Sequence, residues 1–233
     1  MTHYLIAAAM SLLALGCNDS KKLGQDSAAY SSVTLDQGGC FGTCPVYEMS
    51  VMADGSAVYE GKRYAPYKGL HLGTVQSDSL AILRTRVGQV LAKADELPRE
   101  MKSNIADASS ARITIVTTAG DTLEYQGTTE FAKPVEALLK SLHNVAKGIA
   151  WQRSPDAEPL PPSELLLTLG NADDFQEILE SYYRQQMRLE RKVSADPATF
   201  LVSFDPYTMS AEEMVRDLKM RKQVQKVAVV ENK

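Results

Sequence analysis

Between Pro45 and Met52 the chain alternates, with Tyr47, Met49 and Val51 set against Glu48 and Ser50. Period two is the signature of a half-buried strand, and Asp54-Gly55 supplies hairpin-turn chemistry before Ala57-Val58-Tyr59 resumes it. Strands are therefore predicted over 45–53 and 56–61. Tyr30–Leu35 reads as a strand before them, and 64–75 as a further strand interrupted by Pro66 and Gly69. From Ser77 to Ala94 the period lengthens: Leu80, Leu83, Val87, Val90 and Leu91 fall on one helical face, with Ser77 as the expected N-cap. Arg112–Thr117 and Thr122–Tyr125, meeting at Gly120-Asp121, predict a second hairpin, and a helix follows from about Phe131 to Gly148. These elements predict an α+β domain over residues 30–151, an antiparallel sheet with two helices around one core.

Residues 152–162 break every period. The prolines at 155, 159, 161 and 162 forbid a helix, so the segment is expected to run extended as a semi-rigid linker. Beyond it, Glu164–Leu169 reads as a buried strand and Asp173–Gln186 as a helix carrying Phe175, Ile178, Leu179 and Tyr182 on one side. Met187–Val193 and Thr199–Phe204 read as strands. Ser210 and Glu213 form a capping box that opens a helix with Met214 and Leu218, and Val224–Val230 closes the chain as a strand. The order β-α-β-β-α-β over 163–233 is that of a small ferredoxin-like domain.

Ahead of all this stands Leu5–Leu15, an apolar run too short to cross a bilayer and of the length of an export signal's core. Small residues then lead to a cysteine, Ala14-Leu15-Gly16-Cys17, which resembles the lipobox of bacterial lipoproteins, with Ala14 where that motif prefers Leu. The resemblance implies a signal peptide at 1–16 and lipidation on Cys17, with 17–29 as a polar, flexible tether. It implies a membrane as partner through that lipid, and a cell-envelope location at the outer membrane, on its periplasmic or surface face.

Composition adds limits. At 233 residues with 44% hydrophobic and 23% charged side chains, the chain can build packed cores. A net charge of -4 offers no basic field for phosphates, so nucleic acid is not an expected partner. No phosphate-cradling glycine loop or H-E-x-x-H occurs, and neither His71 nor His143 sits in a recognisable catalytic motif. The acid pairs Asp173-Asp174 and Glu212-Glu213 fall in first helical turns, where the helix dipole accounts for them. No cofactor, metal or enzymatic activity is expected.

With Cys17 assigned to lipid, Cys40 and Cys44 remain, and in an oxidising envelope an even remainder favours a disulfide. The glycine-rich stretch 38–45 lets the backbone turn tightly enough to close it. Three other readings of this C-x-x-x-C stand beside that one: a thioredoxin-type copper site, a zinc site completed by His71 and His143, and a redox dithiol. The copper reading conflicts with the strand that follows Cys44, since a helix would be needed there.

Two resemblances follow. Cys40-Phe41-Gly42-Thr43-Cys44-Pro45-Val46-Tyr47, Asp54-Gly55 and Tyr59-Glu60-Gly61 resemble the C-F-G-x-C-P-x-Y…D-G…Y-x-G signature of a domain of unknown function found in Bacteroidota lipoproteins, covering about residues 30–151. Asp107 is similar in position to an aspartate of that family. More weakly, the element order of 163–233, with Phe204-Asp205-Pro206 and the closing strand, resembles the propeptide domains that fold and inhibit subtilisin-type proteases. The expected function is a non-enzymatic, lipid-anchored envelope protein that binds another protein or scaffolds an assembly; the alternative is a protease inhibitor acting through 163–233. Phe41, Tyr47, Tyr59 and Tyr125 are expected to serve core or rim packing rather than a ligand box, and Trp151 to cover a core edge.

Overall fold

The computed structural model describes residues 29–101, 107–128 and 130–230. The expected export signal at 1–16, Cys17 and the expected tether up to residue 28 lie outside them.

The fold is α+β, with two sheets. The larger sheet contains β1 (Tyr30–Gln37), β2 (Tyr47–Met52), β3 (Ser56–Gly61), β4 (Gly69–Thr74), β5 (Glu100–Met101), β6 (Ala111–Thr117), β7 (Thr122–Gly127) and β8 (Gln152–Arg153). Their order is β5-β7-β6-β1-β2-β3-β4-β8, antiparallel except for the short β5–β7 pair. Alternation decides which face is covered. Val33, Leu35, Met49, Val51, Tyr59, Ile113, Ile115 and Tyr125 point into the core. Thr34, Ser50, Arg112 and Glu124 take the other face, where Thr34 and Ser50 hydroxyls pair at 2.7 Å. Helices α1 (Ser77–Leu91) and α2 (Lys133–Gly148) pack against each other over the covered face, burying Leu83, Val87, Leu138 and Leu142. Each such side chain contributes about 1.5–3 kcal/mol by leaving water.

Several expected boundaries move. Ser77 does not cap α1: Gln76 takes that place without a side-chain bond, and Ser77 is the first helical residue. α2 starts at Lys133 because Pro134, whose φ is already helical, stands in its first turn. The strand expected over 64–75 begins only at Gly69, whose φ of +76° turns the chain into the ladder. Residues 62–68 instead form a strap across the end of β3. The linker also departs from a free spacer: Gln152 and Arg153 pair with Leu72 and His71, and Ser154 N–H donates to Leu70 O. Trp151 packs at this edge, 9% exposed, its Nε1–H donating to Ala146 O at 2.8 Å.

The smaller sheet holds β9 (Glu164–Leu169), β10 (Arg188–Ala195), β11 (Ala198–Ser203) and β12 (Val224–Val230) in the order β10-β11-β9-β12, all antiparallel. That is the ferredoxin-like order. Helices α3 (Phe175–Ser181) and α4 (Ala211–Lys219) supply Ile178, Met214 and Leu218 to a second core, in which Phe175 and Phe200 stack with centroids 4.0 Å apart. The capping box forms: Ser210 Oγ accepts Glu213 N–H at 3.2 Å while the Glu213 carboxylate accepts Ser210 N–H at 3.0 Å. The helix read to Gln186 stops at Ser181, and a 3-10 turn plus a left-handed Gln186 (φ 55°) reverse the chain into β10.

Candidate functional site

Cys40 and Cys44 form a disulfide, with Cα atoms 5.6 Å apart in the loop from β1 to β2. Bonded to each other, they leave no thiol for zinc or copper. The two histidines are engaged elsewhere: His71 Nδ1 lies 3.1 Å from Gly69 O, and His143 Nε2 lies 2.9 Å from Gln37 Oε1. Among the described residues no group of three or more His, Cys, Asp or Glu gathers as a metal site would require. The closed loop holds Phe41 outward, 74% exposed, with the Arg184 guanidinium 5.2 Å from its ring centre. Phe41 is therefore not packed into the core.

The loop delivers the chain directly to a cavity. Pro45 and Tyr47 at the start of β2, Tyr59 on β3, Pro66 and Tyr67 on the strap, and His143, Ala146 and Lys147 on α2 line a predominantly apolar pocket of about 290 Å³. Alternation aims Tyr47 and Tyr59 the same way, and the strand register makes them diagonal neighbours on adjacent strands, so their rings stack at 5.0 Å. Tyr67 meets Tyr59 edge-on at 6.0 Å, and Trp151 backs Tyr59 at 5.2 Å. Tyr47 and Tyr59 thus wall a pocket instead of only filling a core; Tyr125, fully buried, fills one.

Gly61 makes the pocket possible. A Cβ there would lie 1.6 Å from the backbone oxygen of Tyr67, so the strap can cross β3 only because residue 61 has no side chain. Pro45, Tyr47, Tyr59 and Gly61 all belong to the sequence signature, which thereby acquires a common spatial purpose. Tyr67 and His143 carried no such signal.

Electrostatics keep the Tyr47 and Tyr59 phenols and the imidazole of the lining uncharged, leaving Lys147 as its one cation among the described residues. Burial pushes the Tyr47 phenol up to about 12, and pushes Tyr59 up as well, with the phenols of Tyr47 and Tyr67 adding to the effect. Both stay protonated at neutral pH. The Tyr59 hydroxyl is buried without a hydrogen-bond partner among the described residues. His143 is held below its ordinary 6.5 by burial first and by the Lys147 charge second. Its proton can be located: Gln37 Nε2 donates to Ser109 Oγ at 2.6 Å and Ser110 O at 3.0 Å, so Gln37 Oε1 must accept from His143 Nε2–H. The pocket therefore presents aromatic carbon and a neutral imidazole, with the Lys147 ammonium among its lining groups.

A pH dependence follows. The unfolded chain binds the His143 proton more readily than the folded one, so the associated stability is complete above about 6.5 and is lost as pH falls through the depressed folded value. Urea midpoints at pH 7 and pH 5 should show a larger acid loss for wild type than for His143→Gln. Equal losses would remove the assignment.

The molecule is thus defined as a two-module α+β protein whose larger module carries a disulfide-closed loop and, next to it, an aromatic pocket. Over residues 31–146 the chain matches the family model of a domain of unknown function, DUF6438. No curated protein matches it. Among solved structures, a homoserine dehydrogenase from Thiobacillus denitrificans is 12% identical over 76% of this chain and 42% of its own, with a TM-score of 0.23. Another, from S. aureus, is 14% identical over 77% of this chain and 43% of its own, with a TM-score of 0.19. The chain spans less than half the length of either enzyme. Superpositions that loose carry no inference about fold or activity.

Proposed function

We propose that this chain is a lipid-anchored cell-envelope protein, without catalytic activity of its own, that binds a partner by receiving an apolar, ring-sized group in the pocket between Tyr47, Tyr59, Tyr67 and His143. The observation that carries this reading is the pocket: predominantly apolar, aromatic-walled, and built in part from Pro45, Tyr47 and Tyr59 of the C-F-G-x-C-P-x-Y…Y-x-G signature. That signature also supports a place among Bacteroidota lipoproteins, with Cys17 as the lipidated residue and the outer membrane as its location. Such linings favour recognition: large aromatic surfaces supply contact area at low entropic cost, and a few polar atoms orient the guest.

The test uses 4-methylphenol, a ring with one hydroxyl, titrated into the protein while aromatic and Trp151 indole resonances are followed by NMR. Saturable shifts confined to the pocket lining are expected. Tyr67→Ala, which opens one wall at a 39% exposed residue, should weaken binding about tenfold while leaving the fold intact. Absence of saturable shifts in wild type would sink the reading, as would a Tyr67→Ala variant that binds equally well.

A further inference from the structure

The pocket's outer wall is held from the other module. Residues 62–68 have two sides. On one, Pro66 and Tyr67 close the aromatic pocket. On the other, Tyr64 N–H donates to Asp205 Oδ2 at 3.0 Å and the Lys68 ammonium donates to the same oxygen at 2.6 Å. Asp205 belongs to the smaller module, between β11 and α4. Its side chain is 1% exposed, and its second oxygen accepts Tyr207 N–H at 3.0 Å within its own module. Its backbone is pinned too, the N–H donating to Gln185 O at 2.7 Å and the carbonyl accepting Thr208 Oγ1–H at 2.7 Å. The carboxylate is therefore a fixed point of the smaller module that reaches out to the strap.

The strap needs such a hold. Tyr64 sits at φ 58°, a left-handed conformation disfavoured for a residue with a side chain, and its own amide is what Asp205 captures. Lys68 Nζ also donates to Lys62 O at 3.0 Å, so one ammonium ties the two ends of the strap to each other and to Asp205. Lys68 lies 5.6 Å above the Tyr207 ring, again across the junction.

Resting on the pocket reading above, we infer that Asp205 is a positioning residue for the pocket: the smaller module, through this one carboxylate, sets the Tyr67 wall and so couples its own placement to binding in the larger module. Displacement of the smaller module by any partner then loosens the strap and weakens the pocket.

The test compares wild type, Asp205→Asn and Lys68→Gln in the full chain. Asp205→Asn keeps an acceptor for Tyr64 but loses the charge that Lys68 meets; Lys68→Gln leaves every bond internal to the smaller module in place. Hydrogen exchange at Tyr64 N–H and its neighbours through residue 68 is expected to accelerate about tenfold in both variants, with exchange in α2 unchanged. Affinity for 4-methylphenol should fall by about the same factor. If one variant fails to fold, the other decides the matter. Unchanged strap exchange in the folded variants overturns the proposal, as does accelerated exchange accompanied by undiminished probe affinity. Wild type that fails to bind the probe, with strap exchange still accelerated in the variants, overturns the pocket reading and leaves the Asp205 hold on the strap supported.

Discussion

Replacing Cys17 with Ala is expected to transfer the protein almost completely from the membrane fraction to the soluble fraction. The proposed anchor is a diacylglycerol on the Cys17 sulfur together with an N-acyl chain. Each buried CH₂ contributes about 0.8 kcal/mol, so multiple chains hold firmly where one chain alone would bind only marginally. Among the described residues no helix is long and apolar enough to cross a membrane, so no described helix could substitute for the lipid. The measurement is fractionation of cells labelled with radioactive palmitate. Label should enter wild type and be absent from Cys17→Ala. A variant that stays in the membrane pellet after a carbonate wash would defeat the lipoprotein reading.

Gly61→Ala should produce the largest loss of stability of any single methyl addition outside the helices. The added Cβ meets the Tyr67 backbone at 1.6 Å and 2.8 Å and the Tyr59 ring at 2.9 Å. A flexible side-chain tip could move aside, but a backbone carbonyl moves only if the strap lifts, taking Tyr67 off the pocket and straining the Tyr64 and Lys68 contacts to Asp205. Overpacking of this kind costs typically 1–3 kcal/mol, and a backbone clash belongs at about 3 kcal/mol. Urea denaturation should show a lower midpoint with an unchanged slope. The control is Gly88→Ala: Gly88 lies exposed in α1 with nothing within 4 Å of an added methyl, and Ala there should stabilise by about 0.5–1 kcal/mol. If both substitutions behave alike, the strap crossing is wrong.

Much of the architecture was legible because local periodicity and burial agree. Leu80, Leu83, Val87 and Val90 mark one face of α1, and all four are buried. Ser210 and Glu213 announced their cap, which local backbone geometry alone can satisfy. Where a boundary slipped, a neighbour outvoted local preference. Gln152 and Arg153 follow no strand pattern, yet the open edge of β4 offers unpaired backbone groups and captures them. The ferredoxin-like order of the smaller module followed from element succession, and its strands pair as that succession demands.

The candidate site was legible only in fragments. Tyr47, Tyr59 and Gly61 could be singled out through the signature, but as packing residues, because ring-on-ring contact in a core and in a pocket wall leave the same alternating pattern. Tyr67 lay in a stretch read as interrupted strand, and His143 looked like an ordinary helix position. Asp205 was one residue of a weak resemblance between Phe204 and Pro206. Nothing local to any of these residues points to a partner so distant along the chain.

By itself, the sequence determined what depends on near neighbours: the α+β class, the helical faces, the capping box, and the cysteine pair close enough to join. Tertiary structure alone decided that the strap crosses Gly61, that α2 closes a pocket over Tyr47 and Tyr59, and that the Asp205 carboxylate reaches Lys68 from 137 residues away. The reason is physical. Periodicity records which side of an element faces away from water, whereas a cavity and a cross-module ion pair depend on how finished elements meet, and no period along the chain encodes that meeting.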